Sequence, residues 1–277
     1  MRSANIPFTV IGTRNIAEDD SKLLILSHVS HIREKEMDQI EKYLKKGGNL
    51  LISGPIGNPR LEKLLGVKVT GRTEHTFTYM SPAEAGMKYF EGFSHLAPLT
   101  VPMKQTTIEI TDDKDLTVLA TLTLPYTMTG TDKFAAIHSN PPGVWTDRPA
   151  AIEKKVGEGR IIWTGAPIEM SRPYMSRLVY QRMVQALVGE PSLTSDAPKY
   201  VEVLHWNKED TGYLAVINEQ EEPPVIPVND IHITIPSECR KAVLLPDGSE
   251  LPSKYEDGKL TVTLPRLEIA AMIRLEK

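Results

Sequence analysis

KKGGNLLISGPIGNP, Lys45–Pro59, is the stretch on which the fold assignment turns. The pair Gly47-Gly48 ends a helix as a C-cap does, because glycine enters the left-handed backbone region without a Cβ penalty. A short apolar strand, Asn49–Ser53, follows, and the tight turn Ser53-Gly54-Pro55 closes it. In α/β enzymes a strand-to-helix turn of this kind carries a nucleophile or cradles a phosphate. Upstream, KLLILSHV (Lys22–Val29) is a near-continuous apolar run, the pattern of a strand buried on both faces of a parallel sheet. Between the two runs, Arg33–Lys46 predicts an amphipathic helix. Met37, Ile40 and Leu44 share one face, and Glu34, Lys35, Asp38, Glu41, Lys42 and Lys45 cover the rest. Pro59–Leu65 predicts a short helix, and FTVIG (Phe8–Gly12) a short strand ahead of the whole group. Strand, helix and strand in this order imply a βαβ unit with a right-handed crossover in an open parallel sheet.

From Val67 to Ile168 the texture changes. TTIEI, DLTVLATLTL, AAIEKKV and RIIWTGA read as strands separated by Asp-Asp-Lys, Gly-Thr-Asp and Gly-Glu-Gly turns. Arg177–Val188 predicts a closing helix, stopped by Gly189-Glu190-Pro191, and PSLTSDAPK (Pro191–Lys199) reads as a linker. Beyond it, YVEVLHW, GYLAVINE, DIHITIP, KAVLLP, KLTVTLP and IAAMIRLE are six short alternating runs, with DGSE and EDGK as hairpin turns. Evenly spaced short strands predict a small all-β sandwich. Two domains are expected, residues 1–192 and residues 200–277.

Composition narrows the function class. Hydrophobic residues make up 40% and charged residues 25%, so ordinary cores are expected. The formal net charge is −4 and no basic block stands out, which argues against nucleic acid as a partner. No apolar run approaches the roughly 18 residues of a membrane span, so no membrane partner is expected. The opening MRSANIPFTVIG has no apolar h-region or small-residue cleavage site, so no signal peptide is expected. The single cysteine, Cys239, rules out an internal disulfide and fits a reducing cytoplasm.

Lys22–Gly57, with its apolar strand, amphipathic helix and GGNLLISGP turn, resembles the β-galactosidase trimerisation domain, a relative of class I glutamine amidotransferases. FAAIHSNPPGVWTDRPAAIEKKVGEGRIIWTGAPI (Phe134–Ile168) is similar to the later part of that domain in a group of bacterial glycoside hydrolases. There a PP-x-x-x-T-x-x-P segment precedes two strands joined by G-x-G-R. DAPKYVEV (Asp196–Val203) resembles the linker that follows in those proteins, and LAVIN (Leu214–Asn218) resembles an L-x-V-x-N strand of their sandwich tail. The resemblance implies that residues 1–192 form a flavodoxin-like, glutamine amidotransferase-like, three-layer α/β domain without catalysis of its own, and that residues 200–277 form the β-sandwich. Two departures stand out. A catalytic barrel precedes this region in the family, and 277 residues leave no room for one. Only seven residues precede Phe8, so the sheet is expected to lack its first βα unit.

The candidate chemistry is sparse. At the Ser53 turn the resemblance implies a cysteine nucleophile, yet Ser53 is the only hydroxyl there and Cys239 lies in the other half of the chain. GPIGNPRL lacks the Gly-Lys-Ser/Thr end of a phosphate-binding P-loop. Glu169 follows the IIWTGAPI strand at what should be the carboxyl edge of the sheet, where α/β ligands bind. His28 and His31 alone do not make a metal site, and no metal or cofactor is expected. The segment HSNPPGVWTDRP offers His138, Asn140, Trp145, Asp147 and Arg148 as a polar and aromatic set that faces either a sugar or a subunit contact. Ser53, Glu169 and His138 are therefore the weak catalytic candidates, and His138, Asn140, Trp145, Asp147 and Arg148 the binding candidates.

Three functions compete. The first is a non-catalytic part of a glycoside-hydrolase-type protein, serving subunit assembly and shaping a carbohydrate site, with copies of itself or a glycoside hydrolase barrel as partners. The second is an autonomous hydrolase using Ser53 or Glu169 with His138. The third is a stand-alone carbohydrate-binding module that stacks Trp145, Trp163 or Trp206 on a sugar, although Trp163 sits in a core-like run.

Overall fold

A computed structural model describes residues 6–128, 130–136, 140–171, 173–189, 191, 193–208 and 211–277. The chain divides into two compact units: Ile11 to Gly189, and a unit joining the stretch through Val10 to the residues after Gly189.

The first unit runs β1 (Leu23–Ser27), α1 (Glu34–Lys45), β2 (Asn49–Ser53), α2 (Pro59–Leu65), β3 (Val67–Arg72), β4 (Thr78–Pro82), β5 (Leu99–Val101), β6 (Thr106–Ile110), β7 (Leu116–Pro125), β8 (Pro142–Val156), β9 (Gly159–Thr164) and α3 (Tyr174–Val188). Local signals set the helix ends. Glu36 accepts a hydrogen bond from the Arg33 backbone N–H at 2.9 Å and closes the first turn of α1. The Asn58 side chain accepts from the Arg60 N–H at 2.7 Å to start α2, and Gly66 ends it at φ +70°.

Seven strands form one sheet in the order β1-β2-β9-β8-β7-β4-β5, while β3 and β6 make a separate ribbon. Only β1, β2 and β9 run parallel to one another; every other neighbouring pair is antiparallel. The two faces of β2 divide the parallel part. Leu50 and Ile52 join Met37, Ile40 and Leu44 of α1 in one apolar core. On the other side Asn49 donates its side-chain N–H to the Leu187 carbonyl of α3 at 2.8 Å. Helices thus cover both faces here, as a βαβ pattern requires.

The doubly covered α/β layer is confined to those three strands, and the described chain is mostly β. The flavodoxin-like expectation carried the parallel texture too far. Long antiparallel strands need no helical crossover, and β8 is one of 15 residues. Its first half, VWTDRP, was not expected to be a strand. Register shifts against β7 accommodate it. Two further corrections follow from the sheet order. β1 is an edge strand, so LLILS is half-buried rather than buried on both faces. No strand forms over 8–12, where Phe8 is 54% and Val10 88% exposed, because the sheet ends at β1.

The second unit runs β10 (Thr194–Ser195), β11 (Val201–Lys208), β12 (Thr211–Asn218), β13 (Val228–Pro236), β14 (Lys241–Leu245), β15 (Glu250–Leu251), β16 (Ser253–Glu256), β17 (Lys259–Leu267) and β18 (Ala270–Glu276). It is a sandwich of two sheets, β10-β13-β17-β16 and β11-β12-β18-β14-β15. Val203, Leu214 and Ile273 from one sheet meet Ile233, Val262 and Leu264 from the other in a shared core, which also buries Cys239. Both expected hairpins form, and Asp257 and Gly258 at φ +51° and +75° give the EDGK turn the positive-φ pair that suits a right-twisted ribbon. The stretch expected to be a linker contributes β10, paired with β13. Among the described residues no helix is long and apolar enough to cross a membrane.

Two outcomes follow. Ile52→Ala, at a site 1% exposed, should lower unfolding free energy by roughly 2–5 kcal/mol in urea titration. In the second unit, burial depresses the His205 imidazole below its ordinary value. The unfolded chain therefore takes up that proton first as pH falls. The His205 contribution is intact above the unfolded value of about 6.5 and is lost below it, down to the folded-state value. His205→Gln should narrow the difference in urea midpoint between about pH 7.5 and about pH 5.5.

Candidate functional site

The carboxyl ends of the three parallel strands bring a small polar group together. Parallel register sets Ser27 of β1 beside Ser53 of β2, and Ser53 beside Thr164 of β9. After β9 the chain turns through a short 3-10 segment, Ile168–Met170, that carries Glu169 back over the strand ends. Ser53 and Ser27 each donate a hydroxyl to the same carboxylate oxygen, Glu169 Oε1, both at 2.5 Å. Ser53 is 1% exposed, and Ser27 lies at the surface. Glu169 Oε2 is buried and has no hydrogen-bond partner among the described residues. The Tyr180 phenol of α3 is pushed up, first by burial and then by the charge of Glu169.

The turn itself is tightly held. The Gly54 N–H donates to the Thr164 carbonyl at 2.8 Å, and the Trp163 indole donates to the Gly54 carbonyl at 2.9 Å. Gly54 sits at φ +80°, and a Cβ added there would lie 2.8 Å from His28 Nδ1. Glycine is required at this position on both counts, conformation and space.

The structure therefore joins two of the sequence candidates, Ser53 and Glu169, across 116 residues of chain. It adds Ser27, which the sequence reading missed. The signal was present: LLILS and NLLIS both end in serine, and parallel pairing of the two runs aligns the two hydroxyls. His138 lies outside the described residues. Among the described residues no imidazole hydrogen-bonds Ser53. A serine becomes a useful nucleophile when an adjacent base relays its proton; here the group that accepts the Ser53 hydroxyl is the Glu169 carboxylate, which Ser27 also engages.

The binding candidates are dispersed in role. Asn140 spends its side chain inside its own loop, accepting from the Thr127 N–H at 2.8 Å and donating to the Thr127 carbonyl at 2.9 Å. Trp145 stacks on His95 with ring centres 5.7 Å apart and donates its indole N–H to the His95 carbonyl at 2.9 Å. Asp147 is exposed. Arg148 borders a separate cleft formed with the β3–β6 ribbon. Trp163 is core, at 0% exposure, and Trp206 stacks on Tyr213 at 5.8 Å. Among the described residues no three His, Cys, Asp or Glu side chains gather as a metal site would need.

Ser53→Ala removes one of the two donors to Glu169 and should cost about 1–3 kcal/mol, read from urea unfolding. Because both serines bond one oxygen, the Ser27→Ala, Ser53→Ala double variant should depart from the sum of the singles by about 0.5 kcal/mol or more.

No family model matches the chain, and no curated protein is similar enough to match it. Solved structures share its fold. α-L-Fucosidase isoenzyme 2 from Paenibacillus thiaminolyticus is similar with a TM-score of 0.70 at 20% identity, over 94% of this chain and 42% of that one. Gan42B, a GH42 β-galactosidase from G. stearothermophilus, gives 0.64 at 16% identity over 100% of this chain and 35% of that one. A β-galactosidase from Bacillus circulans sp. alkalophilus gives 0.59 at 16% identity, over 94% and 34%. At these identities the likeness is one of fold, and this chain spans between 34% and 42% of the length of those structures.

Proposed function

We propose that this chain is a non-catalytic portion of a glycoside-hydrolase-type protein, that it serves subunit assembly, and that it helps shape a carbohydrate site. The observation that carries the reading is the convergence of Ser27 and Ser53 on one oxygen of Glu169. The strand ends hold a closed hydrogen-bond lock where an amidotransferase-like domain would hold an activated nucleophile. On this reading the parallel layer of β1, β2 and β9 is the glutamine amidotransferase-like, flavodoxin-like core of the β-galactosidase trimerisation domain, with Ser53 at the former nucleophile position. The likeness of fold to a β-galactosidase and a fucosidase, each of which is more than twice as long, supports it. So does β1, a half-buried apolar strand that ends the sheet and offers its outer edge to a second chain. The partners on this reading are copies of the same chain or a glycoside hydrolase barrel, and the compartment is the cytoplasm.

Light scattering of the purified chain should give a mass at least twice 30.9 kDa, and a monomer at every concentration would sink the reading that copies of this chain assemble with one another. Incubation with nitrophenyl galactosides, arabinosides and esters should give no turnover. Turnover that disappears in Ser53→Ala or Glu169→Gln would show that the lock is instead an active centre.

A further inference from the structure

A cleft of about 440 Å³ opens in the first unit between the β3–β6 ribbon and strands β7 and β8 of the main sheet. Its size falls within the ordinary range of small-ligand sites. Its charged members come from three directions: Arg72, Glu74 and His75 from the end of β3 and the turn beyond, Glu109 from β6, and Arg148 from β8. Buried Ile108 and Leu122 lie beneath it, and half-buried Leu124 and Met128 supply its accessible apolar surface.

Two features define what fits. Two guanidinium groups and two carboxylates border the cleft, and their formal charges cancel. That arrangement gives a phosphate or a free carboxylate no net attraction, and a metal ion no concentrated negative field. Second, none of these four charged side chains is ion-paired among the described residues, although all border one space. The Arg72 guanidinium makes one long hydrogen bond, 3.4 Å to the Lys104 carbonyl. Of the three lining hydroxyls, Thr70 and Thr107 bond each other at 2.9 Å, and Thr73 donates to the His75 carbonyl and accepts from the Gln105 N–H, both at 3.0 Å. The cleft therefore presents open donors and open acceptors around an apolar patch.

We propose that this cleft binds a neutral pyranose sugar. A pyranose carries vicinal hydroxyls that each donate and accept, and a face of C–H groups. Carboxylates Glu74 and Glu109 take the hydroxyl hydrogens, Arg72 and Arg148 donate to the hydroxyl oxygens, and the C–H face rests on Leu124 and Met128. The cleft lies apart from the Ser53–Glu169 lock, and the proposal stands independently of the assembly reading: a monomer that binds sugar would overturn assembly alone, and an oligomer that binds none would overturn this proposal alone.

Calorimetric titration of the full chain with methyl β-galactoside, methyl β-glucoside and methyl α-fucoside is the test, with inorganic phosphate, glucuronate and calcium chloride as charged comparators. At least one neutral glycoside should bind. Arg148→Met and Glu109→Gln, both on the exposed rim, should each weaken it about tenfold or more while leaving the thermal midpoint in place. Binding of a charged comparator in preference to every neutral glycoside overturns the proposal. So does neutral glycoside binding that both variants leave unchanged, or no glycoside binding at concentrations into the tens of millimolar.

Discussion

The parallel register of β1, β2 and β9 is the constraint on which the first unit depends. It stacks Leu50 and Ile52 toward α1 and turns Asn49 toward α3, so one five-residue strand serves two layers. The same register brings Ser27, Ser53 and Thr164 level at the strand ends. A shift of one residue would reverse every side chain of β2, sending its apolar pair away from α1 and its terminal serine into the core. The site is thus a consequence of how the sheet is paired, and the chemistry it permits follows from what the pairing puts side by side.

That chemistry is conservative. A carboxylate that accepts two hydroxyls is well satisfied on one oxygen, and its second oxygen lies buried without a partner among the described residues. Such an arrangement resists rearrangement, because freeing either serine leaves a charged acceptor short of donors in a poorly solvated place. The cleft beside the β3–β6 ribbon differs, because the charged groups that border it are not paired with one another. On the two proposals, sugar binding and support fall at two places in the same unit.

The βαβ stretch from Lys22 to Leu65 was legible because its signals are local: a 3.6-residue apolar period in α1 and the Gly47-Gly48 stop that ends it. The sandwich was legible for the same reason, since alternation and turn residues repeat at short range. What the sequence hid depends on distant pairing. LLILS reads identically as a central or an edge strand, and only the sheet order makes β1 an edge. β5 has three residues and β4 five, too few to show a period; β4 gains its place through β7, and β5 through β4. Pro149 and Asp147 argue against a strand locally, yet register shifts let β8 continue through them. At the site, Ser53 and Glu169 could be named from position alone, while Ser27 needed the pairing of two similar runs. The cleft could not be seen at all, because Arg72, Glu109 and Arg148 share no sequence pattern.

One further feature concerns how α3 is held. Near the helix end, Asn49 donates to the Leu187 carbonyl and accepts from the Arg160 N–H at 2.9 Å, while the Arg160 guanidinium reaches the Ala186 carbonyl and pairs with Glu153 at 3.0 Å. Carbonyls at a helix terminus ordinarily go to water, and the last turn frays. Here two of them are stapled to the amino ends of β2 and β9, at the margin of the sheet opposite the serines. The last turn of α3 is therefore fastened to side chains from two strands, and its carbonyls do not depend on solvent for their partners.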